Sequence, residues 1–528
     1  MSELPTYAST PVADIAGVHA RLVETWESGR TIPLEYRKIA LRKLYHAIKD
    51  NTENIVAALK ADLNKPEKES LMIEVCWLEK DILDTLAQLD KWAKDEKAPT
   101  SIIYAGLKPR MKKGPMGTVL IIGAFNYPFQ LTVVPLIGAI AAGCPAIVKP
   151  SEMCPVSAAL LAHIIGQALE PDAYTVVNGG IPETTEVLAQ KFDKIMYTGN
   201  GQVARIVSAA AAKNLTPVIL ELGGLNPVFI TSKADAKLAG KRIGWGKVHN
   251  AGQICISPDY VMVDPSMEEA FVQSFTDAIN EFYPNGTDDK ENFGRIVNDR
   301  HFKRITGLLE KSKGEVKFGG KSDAAERWIE PTLVKIGGLD DALLSEEIFG
   351  PVLPYMIVEG GVQEMSSIVR KVGDCPLGLY AFTNDAKEQE YIVNTTRSGG
   401  ISFNDTMFHA AIQSIPFGGI GESGTGCYRG KASFDAFTHL RPIIDQPGWM
   451  EGQLDVRYPP YTDAKYKKYR MTQFLPAVDF DSNGKIVTGM WYYWRRLVLL
   501  GAGTKRGGVV RHLLAALIGL CFWKWGKK

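Results

Sequence analysis

Val119-Leu120-Ile121-Ile122, then an apolar run of helix length from Leu131 to Ala142, then Ala146-Ile147-Val148: this stretch decides the fold. A short strand run with no polar position is buried on both faces, and an apolar helix between two such runs is the crossover of a βαβ unit. The rhythm continues outward. A helix with Ser151 or Pro155 near its start carries Leu160, Ile164 and Ile165, and strands follow at Tyr174–Val177, Lys194–Tyr197 and Val218–Leu220, with a helix over Gln202–Lys213. Upstream, residues 13–97 read as helices, with apolar positions at helical spacing in Leu41, Leu44, Ile48 and again in Leu78, Ile82, Leu86, Leu89. Downstream of Gly224 a second alternation begins with Val228-Phe229-Ile230, a helix to about 250 and Tyr260–Val263, and runs to about 405. The pattern predicts an α/β protein with two domains, each with a parallel sheet covered by helices, and with ligands at the C-terminal strand ends.

The bulk properties narrow the function. The 528 residues exceed one ordinary core, and a net charge of +1 with 45% hydrophobic residues describes a globular enzyme rather than a nucleic-acid binder. Seven scattered cysteines without a Cys-x-x-Cys pattern argue for a reducing compartment, and eight dispersed histidines give no metal-ligand spacing, so no metal is expected. No basic segment followed by an apolar run opens the chain, so no secretory signal is expected.

Two residues carry chemistry. Cys255, in Gly252-Gln253-Ile254-Cys255, is a thiol approached through glycine, suited to covalent attack on a carbonyl. Glu221, in Glu221-Leu222-Gly223-Gly224, follows a buried strand and precedes two glycines, which suits a general base in a crowded site. Taken singly, each has a bland alternative: a free cysteine is often a small buried hydrophobe, and a carboxylate can simply cap a turn.

Five further motifs occur in order with these: Phe125-Asn126-Tyr127-Pro128, Lys149-Pro150-Ser151-Glu152, Tyr197-Thr198-Gly199-Asn200, Glu346-Glu347-Ile348-Phe349-Gly350-Pro351 and Pro416-Phe417-Gly418-Gly419. Over residues 20 to 445 the chain resembles the NAD(P)-dependent aldehyde dehydrogenases, and most of all their class 3, fatty-aldehyde branch. The resemblance implies a Rossmann-type NAD domain over 1–223 with a bridging segment near 98–117. It implies a catalytic domain over 224–405 and a bridging or oligomerisation segment over 406–448. It makes Cys255 the nucleophile, Glu221 the base that hydrolyses the thioester, and Asn126 the oxyanion donor. Lys149 and Glu152 would hold the adenosine ribose, with NAD favoured and NADP possible, because a carboxylate repels a 2′-phosphate. Gly199, Asn200 and Val203 would meet the pyrophosphate, and Glu347 and Phe349 the nicotinamide riboside. The chain departs from the family's pattern at Ala204, where a second glycine is usual, and at Leu225, where a lysine is frequent. His409 reads as structural rather than as a second base.

The last segment, 449–528, is different in kind. After Asp481 it holds nine basic residues, no acidic one and four tryptophans. The charge-free run Leu513–Trp523 is short for a full span, and extending it to Gly507 gives seventeen residues with Arg511 near one end. A membrane-surface association with the catalytic domain facing the cytosol is expected. With the resemblance, this points to a homodimer acting on a long lipophilic aldehyde, either fatty or apocarotenoid. The alternatives are a general medium-chain or aromatic aldehyde dehydrogenase, a cofactor-independent thiol esterase that leaves Lys149 and Glu347 idle, and an inactive membrane scaffold.

Overall fold

Strict alternation along the first strands splits one sheet between two cores. In β1 (Val119–Ile122) the side chains of Val119 and Ile121 join one buried cluster and those of Leu120 and Ile122 another, as the two-residue period of a strand requires. The same split holds in β2 (Ala146–Lys149), where Ala146 and Val148 face one way and Ile147 the other. With β3 (Tyr174–Val176), β4 (Lys194–Thr198) and β5 (Val218–Glu221) these strands are parallel neighbours. The expected strands and crossovers are borne out in this computed structural model, which describes residues 4–100, 102–473 and 480–486 and the single residues 489, 513 and 517.

Helices Gln130–Ala142 and Pro155–Ala168, backed by Leu34–Asp50, Thr52–Leu63 and Cys76–Trp92, cover one face. Helices Val12–Glu27, Ile181–Ala189 and Gly201–Ala212 cover the other. The second alternation forms its own sheet from β6 (Pro227–Ile230), β7 (Tyr260–Val263), β8 (Glu315–Phe318), β9 (Thr332–Lys335), β10 (Val352–Ile357), β11 (Gly378–Phe382) and β12 (Gly400–Phe403). Their order is β8-β9-β10-β7-β6-β11-β12, all parallel except β8.

One strand departs from the expected pattern. The two-residue β13 (Gly424–Thr425) joins the first sheet antiparallel to β5, giving the order β13-β5-β4-β1-β2-β3 and setting Gly424 opposite Glu221. By its contacts the chain divides into two compact units, residues 1–93 with 115–438 and residues 94–114 with 439–528. The second unit contains Glu96–Lys97 paired antiparallel with Arg110 and Met111, and a helix over Asp463–Gln473. Among the described residues no helix is long and apolar enough to cross a membrane. Apart from Leu513 and Leu517, the 507–523 run of the tail expected to meet a membrane lies outside the described residues.

Candidate active site

The chain builds outward from β1 through β2 to β3, then returns to the other side of β1 with β4 and β5. Such a reversal leaves a crevice beyond the C-terminal ends of the strands where the order turns, and the candidate cofactor residues stand there. Lys149 ends β2 buried, its Nζ donating to Pro150 O at 2.9 Å and to the exposed Glu152 carboxylate at 3.3 Å. Burial holds its ammonium below the ordinary lysine range, while Glu152 opposes the shift. Beyond β4, a Cβ on Gly199 would stand 2.3 Å from Tyr197 Oη, so a larger residue there would have to displace the tyrosine hydroxyl. Asn200 then caps helix Gly201–Ala212, its Oδ1 accepting from Val203 N at 2.9 Å. Ala204, the departure from the glycine pattern, is buried in the apolar layer between this helix and the sheet.

The Cys255 loop is shaped by backbone. Asn250, Ala251 and Gly252 follow one another with φ of 50°, 52° and 72°, and two left-handed non-glycine residues in succession store strain that surrounding contacts must hold. Gln253 supplies such contacts, donating to Asn250 O at 3.1 Å and Arg295 O at 3.0 Å and accepting from Val297 N at 3.0 Å. Asn226 donates to Cys255 O and Ser257 O, both at 2.9 Å, and Tyr380 Oη donates to Ile256 O at 2.6 Å. From Asn250 to Val263 every residue is buried except Cys255, which is partly exposed. The loop therefore offers one reachable side chain, a thiol. Gly252 is the tightest point, since a Cβ there would meet Gly350 O at 2.3 Å. Gly252→Ala is expected to destabilise the fold by about 1–3 kcal/mol, measured as a lower urea midpoint at unchanged slope.

Asn126, in the loop after β1, donates its side-chain amide to Gln253 O at 3.0 Å, two residues before the thiol. Glu221, at the end of β5, is 2% exposed, and neither carboxylate oxygen has a hydrogen-bond partner among the described residues. Burial alone drives its pKa well above the carboxylate range. Glu347 lies over Gly223, where a Cβ would stand 2.2 Å from its Oε2, and its Oε1 is buried without a partner among the described residues. Its pKa is raised by burial and by Asp259. Phe349, at φ 51°, packs edge-on against Phe125 with ring centroids 5.7 Å apart. Burial pushes the Cys255 pKa up, and the charges of Glu347 and then Glu221 push it further. Cys255, Glu221, Asn126 and Glu347 thus form one group, whereas Lys149 and Glu152 stand apart from it at the end of β2.

The family model for the aldehyde dehydrogenase family matches residues 6–443. The chain belongs to this family. It is 43% identical to the beta-apo-4'-carotenal oxygenase of Neurospora crassa over 98% of this chain and 96% of that one. It is 41% identical to the dimeric NADP-preferring aldehyde dehydrogenase of Canis lupus familiaris over 85% of this chain and 98% of that one. The substrate-bound AldH of Staphylococcus aureus superposes with a TM-score of 0.84 at 38% identity, covering 87% of this chain and 99% of that one. The protein is accordingly an oxidoreductase that oxidises aldehydes with a nicotinamide cofactor. Fit to that cofactor shows in the helix N-terminus after Gly199 and in two buried polar atoms without partners among the described residues, Thr198 Oγ1 and Glu347 Oε1.

Several residues of this aldehyde dehydrogenase escaped the motif reading. Asn226 and Asp259 tie β6 to the Cys255 loop, with Asn226 N donating to Asp259 Oδ2 at 3.0 Å. Fully buried Lys65 and Glu74 meet at 2.9 Å beneath the Asn126 loop. The order Gly-Gly-Leu-Asn after Glu221 was a usable signal for Asn226; the other three lie in no recognisable motif. His409 bonds Ser402 Oγ through Nδ1 at 3.1 Å and stacks on Phe417, and burial lowers its pKa to about 4, so its ring is neutral.

Proposed function

We propose that the chain oxidises a long lipophilic aldehyde to its carboxylic acid with NAD, through covalent intermediates on Cys255. The observation that carries this reading is the single reachable thiol of an otherwise buried loop, set beside the Asn126 amide and the Glu221 carboxylate, which has no hydrogen-bond partner among the described residues. Cys255 gives up its thiol proton to water, its Sγ attacks the aldehyde carbon, and the carbonyl π pair moves onto oxygen. Asn126 Nδ2 and the Cys255 backbone N–H receive that oxyanion, a contact that strengthens only as charge develops. Lys149 and Glu152 would hold the ribose of NAD, Gly199, Asn200 and Val203 its pyrophosphate, and Glu347 and Phe349 its nicotinamide end, where it would supply the hydride acceptor. As the oxyanion re-forms its carbonyl, the former aldehyde C–H bond breaks and its electron pair leaves as hydride, so Cys255 is left acylated as a thioester. Glu221 takes a proton from water, the hydroxyl adds to the thioester carbon, and the thiolate leaves.

NAD is favoured over NADP because the Glu152 carboxylate beside Lys149 repels a 2′-phosphate. The lipophilic substrate is supported by the extent of likeness. The carotenal oxygenase aligns over 98% of the chain, tail included, while the NADP-preferring relative aligns over 85%. Exposed Phe408, Ile412, Ile415 and Ile420 flank the motif containing Phe417 and add apolar surface there. Attachment of the basic, tryptophan-bearing tail to an anionic membrane surface, with the enzyme as a homodimer, would supply a substrate that partitions into lipid. A general medium-chain or aromatic aldehyde dehydrogenase is the second reading, favoured by the breadth of the family match.

The test is NADH formation across saturated aldehydes of rising chain length and polyene aldehydes. The expected result is a rising kcat/KM with length, since each buried methylene contributes about 0.8 kcal/mol. Equal or better turnover of short water-soluble aldehydes would sink the lipid reading.

A further inference from the structure

We propose that Lys65 and Glu74 are positioning residues for the oxyanion donor, an inference that rests on the role given to Asn126 above. Lys65 Nζ donates to the Asn126 carbonyl at 3.0 Å and to Glu74 Oε1 at 2.9 Å, and sits 4.1 Å from the centroid of the Tyr127 ring. Glu74 Oε2 accepts from Phe129 N at 3.1 Å and Gln130 N at 2.9 Å, at the start of helix Gln130–Ala142. One ion pair therefore clamps both ends of the segment 126–130. Both side chains are fully buried.

The same N-terminal segment also reaches the nucleophile loop. Glu69 Oε1 accepts from Asn250 N at 3.0 Å, and Asn250 Nδ2 donates to the carbonyls of Asn126 at 2.9 Å and Gln253 at 3.1 Å. Between Glu69 and Glu74 the helix is a π turn, Ser70–Val75. Its wider i→i+5 bonding turns Glu74 toward the side that Glu69 occupies, where an α-helix would carry it away. Lys65, Glu69 and Glu74 thus hold the Asn126 loop and the Cys255 loop in one register.

Stability alone does not call for charge here, because a buried ion pair is often no better than apolar side chains of similar volume. An apolar pair cannot grip a carbonyl oxygen. Without Lys65 Nζ, the Asn126 carbonyl keeps, among the described residues, its bond from Asn250, and the peptide that aims the Asn126 amide is held less firmly. Such a misplacement is felt only when the oxyanion forms, so kcat falls while KM stays.

The experiment is a double-mutant cycle on the full-length enzyme at saturating NAD. Asn126→Ala alone should lower kcat by about 10²–10³-fold. Lys65→Met alone should lower it by about 10- to 100-fold, with KM and the NAD affinity read from tryptophan fluorescence unchanged. In the Asn126→Ala background, Lys65→Met should add less than about threefold, because the group it aims is gone. Glu74→Gln, close in shape, should give the same signature and serves if Lys65→Met fails to fold. Losses that multiply in the double variant overturn the proposal, as does a failure of both variants to fold, since either makes the pair a scaffold only. Near-normal activity of Asn126→Ala would instead remove the oxyanion role itself, and the inference with it.

Discussion

Cys255→Ala should abolish NADH formation with every aldehyde, lowering kcat/KM by at least about a thousandfold, while NAD binding and the unfolding midpoint stay close to those of the parent. Loss of a nucleophile removes the covalent route entirely, and what remains is the weak catalysis of a binding site without its attacking group. The fold should tolerate the change because Cys255 is the one residue between Asn250 and Val263 that is not fully buried, and its loop is held through backbone carbonyls by Asn226 and Tyr380 rather than through sulfur. Retained activity in this variant would overturn the proposed mechanism. Ester cleavage by the parent without any NADH formation would point to the thiol esterase instead.

Glu221→Gln should separate the two halves of the reaction. Acylation does not need the carboxylate as a base, so one equivalent of NADH should still appear in a burst. Steady turnover should fall by about 10²–10⁴-fold, the usual contribution of a general base, with the acyl-enzyme accumulating. The pH profile is the sharper readout. Burial raises the Glu221 pKa, so its basic form grows only at higher pH than that of a free carboxylate, and parent turnover should climb as pH rises. Burial together with Glu347 and Glu221 raises the Cys255 pKa as well, so the burst rate should climb in the same direction. In Glu221→Gln the burst keeps a pH dependence and the residual turnover loses the Glu221 limb. A variant that loses the burst along with turnover would show that Glu221 acts before hydrolysis.

Much of this arrangement could be read from residues alone, and the reason is periodicity. Runs such as Val119–Ile122 and Tyr260–Val263 are buried on both faces, so the parallel strands announced themselves. Cys255 and Glu221 stood out because glycines next to reactive side chains are informative wherever they adjoin a strand. Other features carry no local signal. β13 is two residues long and has no pattern to read. Ala251 gives no hint of a left-handed φ, which its neighbours impose. Lys65, Glu69 and Glu74 fall in a stretch of helical spacing, where charges ordinarily mark the solvated side; only tertiary packing turns them inward. Ala204, a departure on the motif's terms, is an ordinary packing residue in the layer that holds it.

The pairing of Gly424 with Glu221 has a consequence for how the chain is made. Some two hundred residues separate the partners, so during synthesis β5 waits as an open edge while the entire second sheet emerges. Until then the strand that carries Glu221 offers unpaired amides and carbonyls to any other chain nearby, the condition under which aggregation competes with folding. Contacts of such wide separation also slow folding. Completion of the strand that carries Glu221 is therefore a late event, and a ribosomal product cut short before residue 424 ends with its first sheet still unsealed.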